Sequence, residues 1–150
     1  MGPQSSVKSS TSDRRIQVIE DRRWVPIVAP APTLSSAPYG WDGVLVERYH
    51  SVKVLGDRER TCTTVILHLH LGAPAQQEWP VGGKLQRILV VPGNIHLLPP
   101  GPSRSARIED STDALVLSMD PTLLARALGE SWAGGIELNQ SGCEICRSST

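Results

Sequence analysis

The sequence predicts a mainly-β protein, a jelly-roll barrel of short antiparallel strands with one short C-terminal helix. Three observations predict it. From Thr63 to Leu71 the run TTVILHLHL is aliphatic, rich in β-branched residues and alternating, as a half-buried strand requires. Glycine and proline corners recur every few residues between Trp79 and Arg104, too closely for crossover helices. Helical grammar appears only once, at Asp120-Pro121, where an N-cap residue precedes a proline suited to the first helical turn.

The elements follow in order. Met1 to Asp13 is Ser- and Thr-rich without apolar periodicity and is expected to be a mobile arm. Arg14 to Val28 mixes arginines with Ile16, Val18, Ile19, Trp24, Val25 and Ile27, which suits one or two short edge strands with a solvated face. Ala29 to Pro38, APAPTLSSAP, reads as an extended, exposed connector. After the Tyr39–Gly43 turn, Val44 to His50 reads as a strand with Val44 and Val46 on one face and Leu45 and Tyr49 on the other. Lys53 to Arg60 is expected to be a hairpin loop. In the Thr63–Leu71 strand, Val65, Leu67, Leu69 and Leu71 share one face, and Ile66, His68 and His70 the other. Gln76 to Val81 and Lys84 to Val91 pair through Gly82-Gly83, a dipeptide that tolerates the positive φ of a type I′ turn. Ile95 to Leu98 is a third strand ended by Pro99-Pro100-Gly101. Ser103 to Ile108 and Ala114 to Met119 are read as two strands separated by a polar turn over Glu109–Asp113, giving about seven or eight strands. Pro121 to Leu128 is a helix whose Leu123, Leu124 and Leu128 would cover one end of the barrel, and Gly129 sits where it ends.

At 150 residues the chain suits one domain with one core. Fifteen Lys and Arg balance fifteen Asp and Glu, so no net field draws it to nucleic acid or an anionic membrane. No apolar run approaches the roughly 20 residues of a membrane span, and the first segment lacks the apolar stretch of a secretion signal, so the expected location is cytoplasmic. Three cysteines without a dense framework argue against a disulfide-stapled secreted domain.

The ordered motifs Tyr39-Gly-Trp-Asp-Gly43, Leu67-His-Leu-His-Leu-Gly72, Val91-Pro-Gly93, Leu98-Pro-Pro-Gly101 and Leu117-Ser-Met-Asp-Pro121 carry a resemblance. Together they resemble the N-terminal cupin-like sensor domain of AraC-type bacterial transcription regulators. The resemblance implies a cupin-like barrel over residues 34–138, preceded by an arm and edge strands over 1–33 and followed by an irregular tail over 139–150. It also implies that the barrel binds a small-molecule effector or dimerises, as a homodimer or, for a chain without a DNA-binding domain, with an intact regulator. Such regulators carry a separate DNA-binding domain of two helix-turn-helix units, and no such pair is found in this sequence. The expectation is therefore a sensor truncated before that domain, with no nucleic-acid binding of its own.

Tyr49, His68, His70, Trp79 and Arg104 are the candidates for lining a ligand cavity, because such cavities combine aromatic walls with a few polar groups. No catalytic residue, cofactor or metal is assigned. The alternative is a small metal-dependent cupin enzyme, an isomerase or dioxygenase, using His68 and His70. Residues two apart on a strand share a face, with His96 or His50 as a third ligand and Glu78 or Glu47 as a fourth. The spacing weighs against it: Glu78 comes eight residues after His70, and the segment after Pro99-Pro100-Gly101 offers Arg104, a cation that would repel a metal. Cys143 and Cys146 have the spacing of half a zinc site, but a structural zinc needs four ligands and only Cys62 remains.

Overall fold

The computed structural model describes residues 14–129. The arm over Met1–Asp13, the segment through Ile136–Leu138 and the Cys143–Cys146 pair lie outside the described residues. Eleven strands and one α-helix are formed within that span: β1 (Gln17–Glu20), β2 (Arg23–Pro26), β3 (Leu34–Ser35), β4 (Val44–Val54), β5 (Glu59–Cys62), β6 (Val65–His70), β7 (Ala75–Val81), β8 (Lys84–Val90), β9 (Ile95–Leu98), β10 (Gly101–Arg104), β11 (Ile108–Met119) and α1 (Pro121–Leu128). All strand pairings are antiparallel. One sheet has the order β10-β5-β1-β2, a second β3-β4-β11-β6-β9, and β7-β8 form a separate ribbon. The architecture is the mainly-β, jelly-roll kind with one short helix that the sequence predicts.

The two larger sheets close around an aliphatic core. Val18 and Ile16 from the first sheet side, and Val52, Ile66, Ile108 and Val116 from the second, are almost wholly excluded from water. β6 alternates as expected, and the face turned inward is that of Ile66, His68 and His70 rather than that of Leu67, Leu69 and Leu71. In β4, Leu45, Glu47 and Tyr49 are buried together on one face. The β7–β8 ribbon turns at Gly82 and Gly83, whose φ values of 58° and 80° are those of a type I′ turn. It is tied to the body by reciprocal backbone bonds between Glu78 and Arg107 at 2.9 and 2.8 Å. Asp120 caps α1 by accepting from the Thr122 amide at 2.8 Å. The leucines of α1 are half-buried, and Leu123 packs beside Gly43, where an added Cβ would come within 3.3 Å of it. Among the described residues no helix is long and apolar enough to cross a membrane.

Four expectations are corrected. The polar stretch Glu109–Asp113 is not a turn: β11 runs unbroken from Ile108 to Met119, and the preceding strand is Gly101–Arg104 rather than Ser103–Ile108. Pairing with the far end of β4, through register shifts around Thr112, keeps that polar stretch in the ladder. Ala29–Pro38 is not wholly exposed, because Leu34–Ser35 pairs with β4 and Ser36 and Ala37 are buried against it. Of the two strands formed within residues 14–28, β1 is interior, bonded to β2 and β5, whereas β2 is an edge as expected. The turn between them has Asp21 and Arg22 both at positive φ, 50° and 62°, without a glycine to announce it. The strand count rises accordingly above the expected seven or eight.

Candidate functional site

Antiparallel register places one polar row across the inner face of the second sheet. Glu47 on β4 pairs with Val116 on β11, Val116 with His68 on β6, and His68 with His96 on β9. Directly opposed residues in an antiparallel pair share a face. All four side chains therefore point into the interior, and all are buried.

At one end of the row Glu47 is fully buried, and its two oxygens are served differently. Its Oε1 accepts from the Ile16 amide at 3.0 Å and from the Tyr49 hydroxyl at 2.7 Å, and Arg15 Nε lies 3.5 Å from Oε2. Arg15 also donates to the carbonyls of Val28 and Pro30 and to the Tyr49 oxygen. Burial, reinforced by the Glu47 carboxylate, raises the Tyr49 phenol well above its ordinary value, so the ring stays a neutral donor. This cluster clamps the segments flanking β1 and β2 onto β4.

At the other end Trp79, from β7, lies flat on His96 with centroids 3.9 Å apart and planes 1° from parallel. His68 meets the edge of the same indole, at 4.9 Å and 62°. The indole N–H donates to Gln77 Oε1 at 2.8 Å. Burial, helped by the neighbouring imidazoles, lowers His68 to about 3 and His96 to about 4, so both rings are neutral near pH 7. His70 differs: its Nε2 lies 2.8 Å from the Ala73 carbonyl, which can only accept, so the proton sits on Nε2. Among the described residues the buried side-chain atoms without a hydrogen-bond partner are both ring nitrogens of His68, His70 Nδ1, His96 Nδ1, Gln77 Nε2, Thr112 Oγ1, and Arg15 Nε and Glu47 Oε2, which face one another at 3.5 Å.

Two spaces adjoin this cluster. An open cleft of about 570 Å³ runs between the β1–β2 turn, β5, the tip of the β7–β8 ribbon, β9 and β10. A small interior chamber of about 50 Å³ has aliphatic walls and takes His68 and Cys62 into its lining. The cleft and the chamber share Arg60, Trp79, Leu98, Ser103 and Arg104 as walls. Arg60 is held by Glu20 at 3.0 Å and by the Ile27 carbonyl at 3.1 Å. Burial pushes Glu20 upward, but Arg58 and Arg60 outweigh it and hold the carboxyl below its usual range. Arg104 pairs with Asp57 at the surface. Burial raises the Cys62 thiol, which leaves it a poor nucleophile.

Of the residues singled out in the sequence, the structure brings His68, Trp79 and Arg104 around the chamber. Tyr49 sits in the Arg15–Glu47 clamp, and His70 is bound to Ala73. A metal does not fit the His68 and His70 pair. Among the described residues no group of three His, Cys, Asp or Glu side chains could hold an ion. Glu47 is already bonded, Glu78 pairs with Arg107 at 3.2 Å, and His50 pairs with Asp113 at 2.7 Å near the surface. Sequence reasoning missed Arg60, Gln77 and Arg15 as members of these clusters. The only cue was their type, because Arg15 and Arg60 are placed by contacts thirteen or more residues away, and Gln77, though bonded to nearby Trp79, is turned inward only by where the β7–β8 ribbon folds.

No protein-family model and no curated protein matches the sequence. Among solved structures the chain is similar to a cupin superfamily protein from Desulfitobacterium hafniense, with 16% identity and a TM-score of 0.41, over 71% of this chain and 81% of that one. A likeness at that distance adds no functional argument, and the fold stands on its own strand order.

Proposed function

We propose that this chain is a non-enzymatic, cytoplasmic effector-sensing domain of the kind found in AraC-type transcription regulators. The observation that carries the reading is His68: a 6% exposed imidazole with both nitrogens unpartnered, facing a chamber that abuts an open cleft. Leaving such groups without partners costs about 1–3 kcal/mol each, a cost that a ligand would remove. The ordered motifs that resemble the AraC-type sensor supply the class of protein. Against the enzyme alternative stand the raised thiol of Cys62 and the lack, among the described residues, of three side chains placed to hold a metal.

Signalling in this reading is a population shift. A ligand bound between Trp79 and Arg104 favours the arrangement in which the β7–β8 ribbon is drawn onto the body, and its leverage equals its differential affinity for the two states. The readout is then pairing with a second copy or with a regulator that carries a DNA-binding domain. Thermal-shift screening with sugars, amino acids and organic acids tests the reading. One class should raise the melting temperature in a concentration-dependent manner, since a ligand at about 100 times its Kd adds about 2.7 kcal/mol of stability. Stoichiometric iron, manganese or zinc that is lost in a His68→Ala, His70→Ala double variant would instead establish the metal-dependent enzyme.

A further inference from the structure

The walls shared by the cleft and the chamber restrict what can bind, and we infer that the ligand is a small carboxylic acid bearing a hydroxyl group on its apolar end. This inference rests on the sensing role proposed above. Arg60 and Arg104 line both spaces. A guanidinium carries five N–H donors in a planar fork suited to a carboxylate. Among the described residues Arg60 directs Nε to Glu20 and Nη1 to Ile27, and Arg104 directs Nη1 to Asp57. Donors on both remain for a ligand. The Arg104–Asp57 pair is also exchangeable, because both side chains are about half exposed, at 49% and 54%, and such pairs are weak.

The other end of the ligand is set by the chamber. Val18, Ile27, Ile66, Leu98 and Val116 offer it no hydrogen bonds from their side chains, which favours an apolar body. Its 50 Å³ has room for about four water-sized centres, so it takes a ring edge or a short branch and not a whole ligand. At its wall neutral His68 offers one donor and one acceptor. A hydroxyl can answer either one. A cationic amine is disfavoured by the two guanidinium groups. The cleft lining carries Arg22, Arg60 and Arg104 against Asp21 and Glu59, a surplus of one positive charge that suits one carboxylate better than a polyanion such as a nucleotide.

Calorimetric titration of the whole chain separates the parts. The probes are 4-hydroxybenzoate and 6-hydroxyhexanoate, each with its deoxy acid and its hydroxy amide. At least one hydroxy acid should bind, the deoxy acid about tenfold more weakly, and the amide about tenfold more weakly or worse. Deleting the hydroxyl from the ligand examines His68 without disturbing a core residue. Arg104→Gln, at a half-exposed position, should bring acid and amide to within about twofold of each other. Equal binding of acid and amide by the native chain, or of hydroxy and deoxy acids, overturns the inference. So does stabilisation by a sugar or amino acid with no response to either hydroxy acid, an outcome that leaves the sensing role standing. Silence across every class of small molecule overturns both.

Discussion

Lowering the pH from 7.5 to 5 should strip this protein of about 4 kcal/mol of stability through two imidazoles. His68 and His96 are buried and neutral in the fold, lowered to about 3 and about 4 from an ordinary 6.5. In the unfolded chain both regain the ordinary value. Above pH 6.5 neither state is protonated and the two rings leave stability unchanged with pH. Below it the unfolded chain takes up two protons that the folded chain refuses, so stability falls by about 1.4 kcal/mol per pH unit for each ring. Over the 1.5 units from 6.5 to 5 the two rings together account for about 4 kcal/mol, a large part of the 5–15 kcal/mol typical of a domain. The loss levels off only as the pH passes through the folded values near 4 and 3. Stopping at pH 5 keeps most carboxylates out of the measurement, including Glu20, which its arginines hold below its usual range. Urea unfolding followed by tryptophan fluorescence at pH 7.5, 6 and 5 measures the slope. In His68→Leu the slope between pH 6 and 5 should fall to about half. A native chain equally stable at pH 7.5 and 5, or a slope untouched by His68→Leu, would refute the assignment of these rings as buried and neutral.

Two further perturbations read the two ends of the polar row. Glu47→Ala removes the acceptor of the Ile16 amide and the Tyr49 hydroxyl and leaves Arg15 without its counter-charge. It should cost about 3–5 kcal/mol in urea unfolding, with Glu47→Gln clearly milder, and a loss under about 1 kcal/mol for Glu47→Ala would show that the clamp does not hold. Trp79→Ala should cost about 3–5 kcal/mol, whereas Trp79→Phe, which keeps a ring over His96 but loses the bond to Gln77, should cost appreciably less. Equal losses in the two variants would show that the stack contributes nothing.

What the sequence disclosed, it disclosed locally. Gly82-Gly83 announced the β7–β8 turn because only glycine adopts two successive positive φ values at no steric cost. The alternation of Val65–Leu71 announced a two-faced strand but not that its histidine face would be the buried one, and Asp120-Pro121 announced α1. The Asp21-Arg22 turn was illegible because the same backbone is reached there by residues that seldom adopt it. Glu109–Asp113 misled for a related reason. Five polar residues resemble a turn, and only pairing with a strand more than fifty residues earlier holds them extended. The site divides in the same way. His68 and His70 share a face by their spacing, but whether that face meets His96 depends on β6 pairing with β9, and whether it meets Trp79 depends on where the ribbon folds. Glu47, named only as a remote metal ligand, turned out to be bound to a backbone amide and an arginine over thirty residues earlier.

The polar groups in and beside this row divide by whether the fold itself satisfies them. An aliphatic side chain at each position would fill the interior without any desolvation cost, so each polar residue needs a compensating partner. Glu47 has three, His70 has the Ala73 carbonyl, and Gln77 and Trp79 answer one another. His68 has only ring contacts, with neither nitrogen satisfied among the described residues, although it sits at the centre of the row. His68 also borders the one described chamber that adjoins both arginines and the open cleft. The bonds at Glu47 Oε1, His70 Nε2 and between Gln77 Oε1 and the Trp79 N–H show that this interior can supply hydrogen bonds where structure alone demands them. His68 differs from these in having both ring nitrogens buried and unpartnered, so it lies where a bound molecule would complete the set. The same ring that weakens the fold in acid would give a ligand its most distinctive contact.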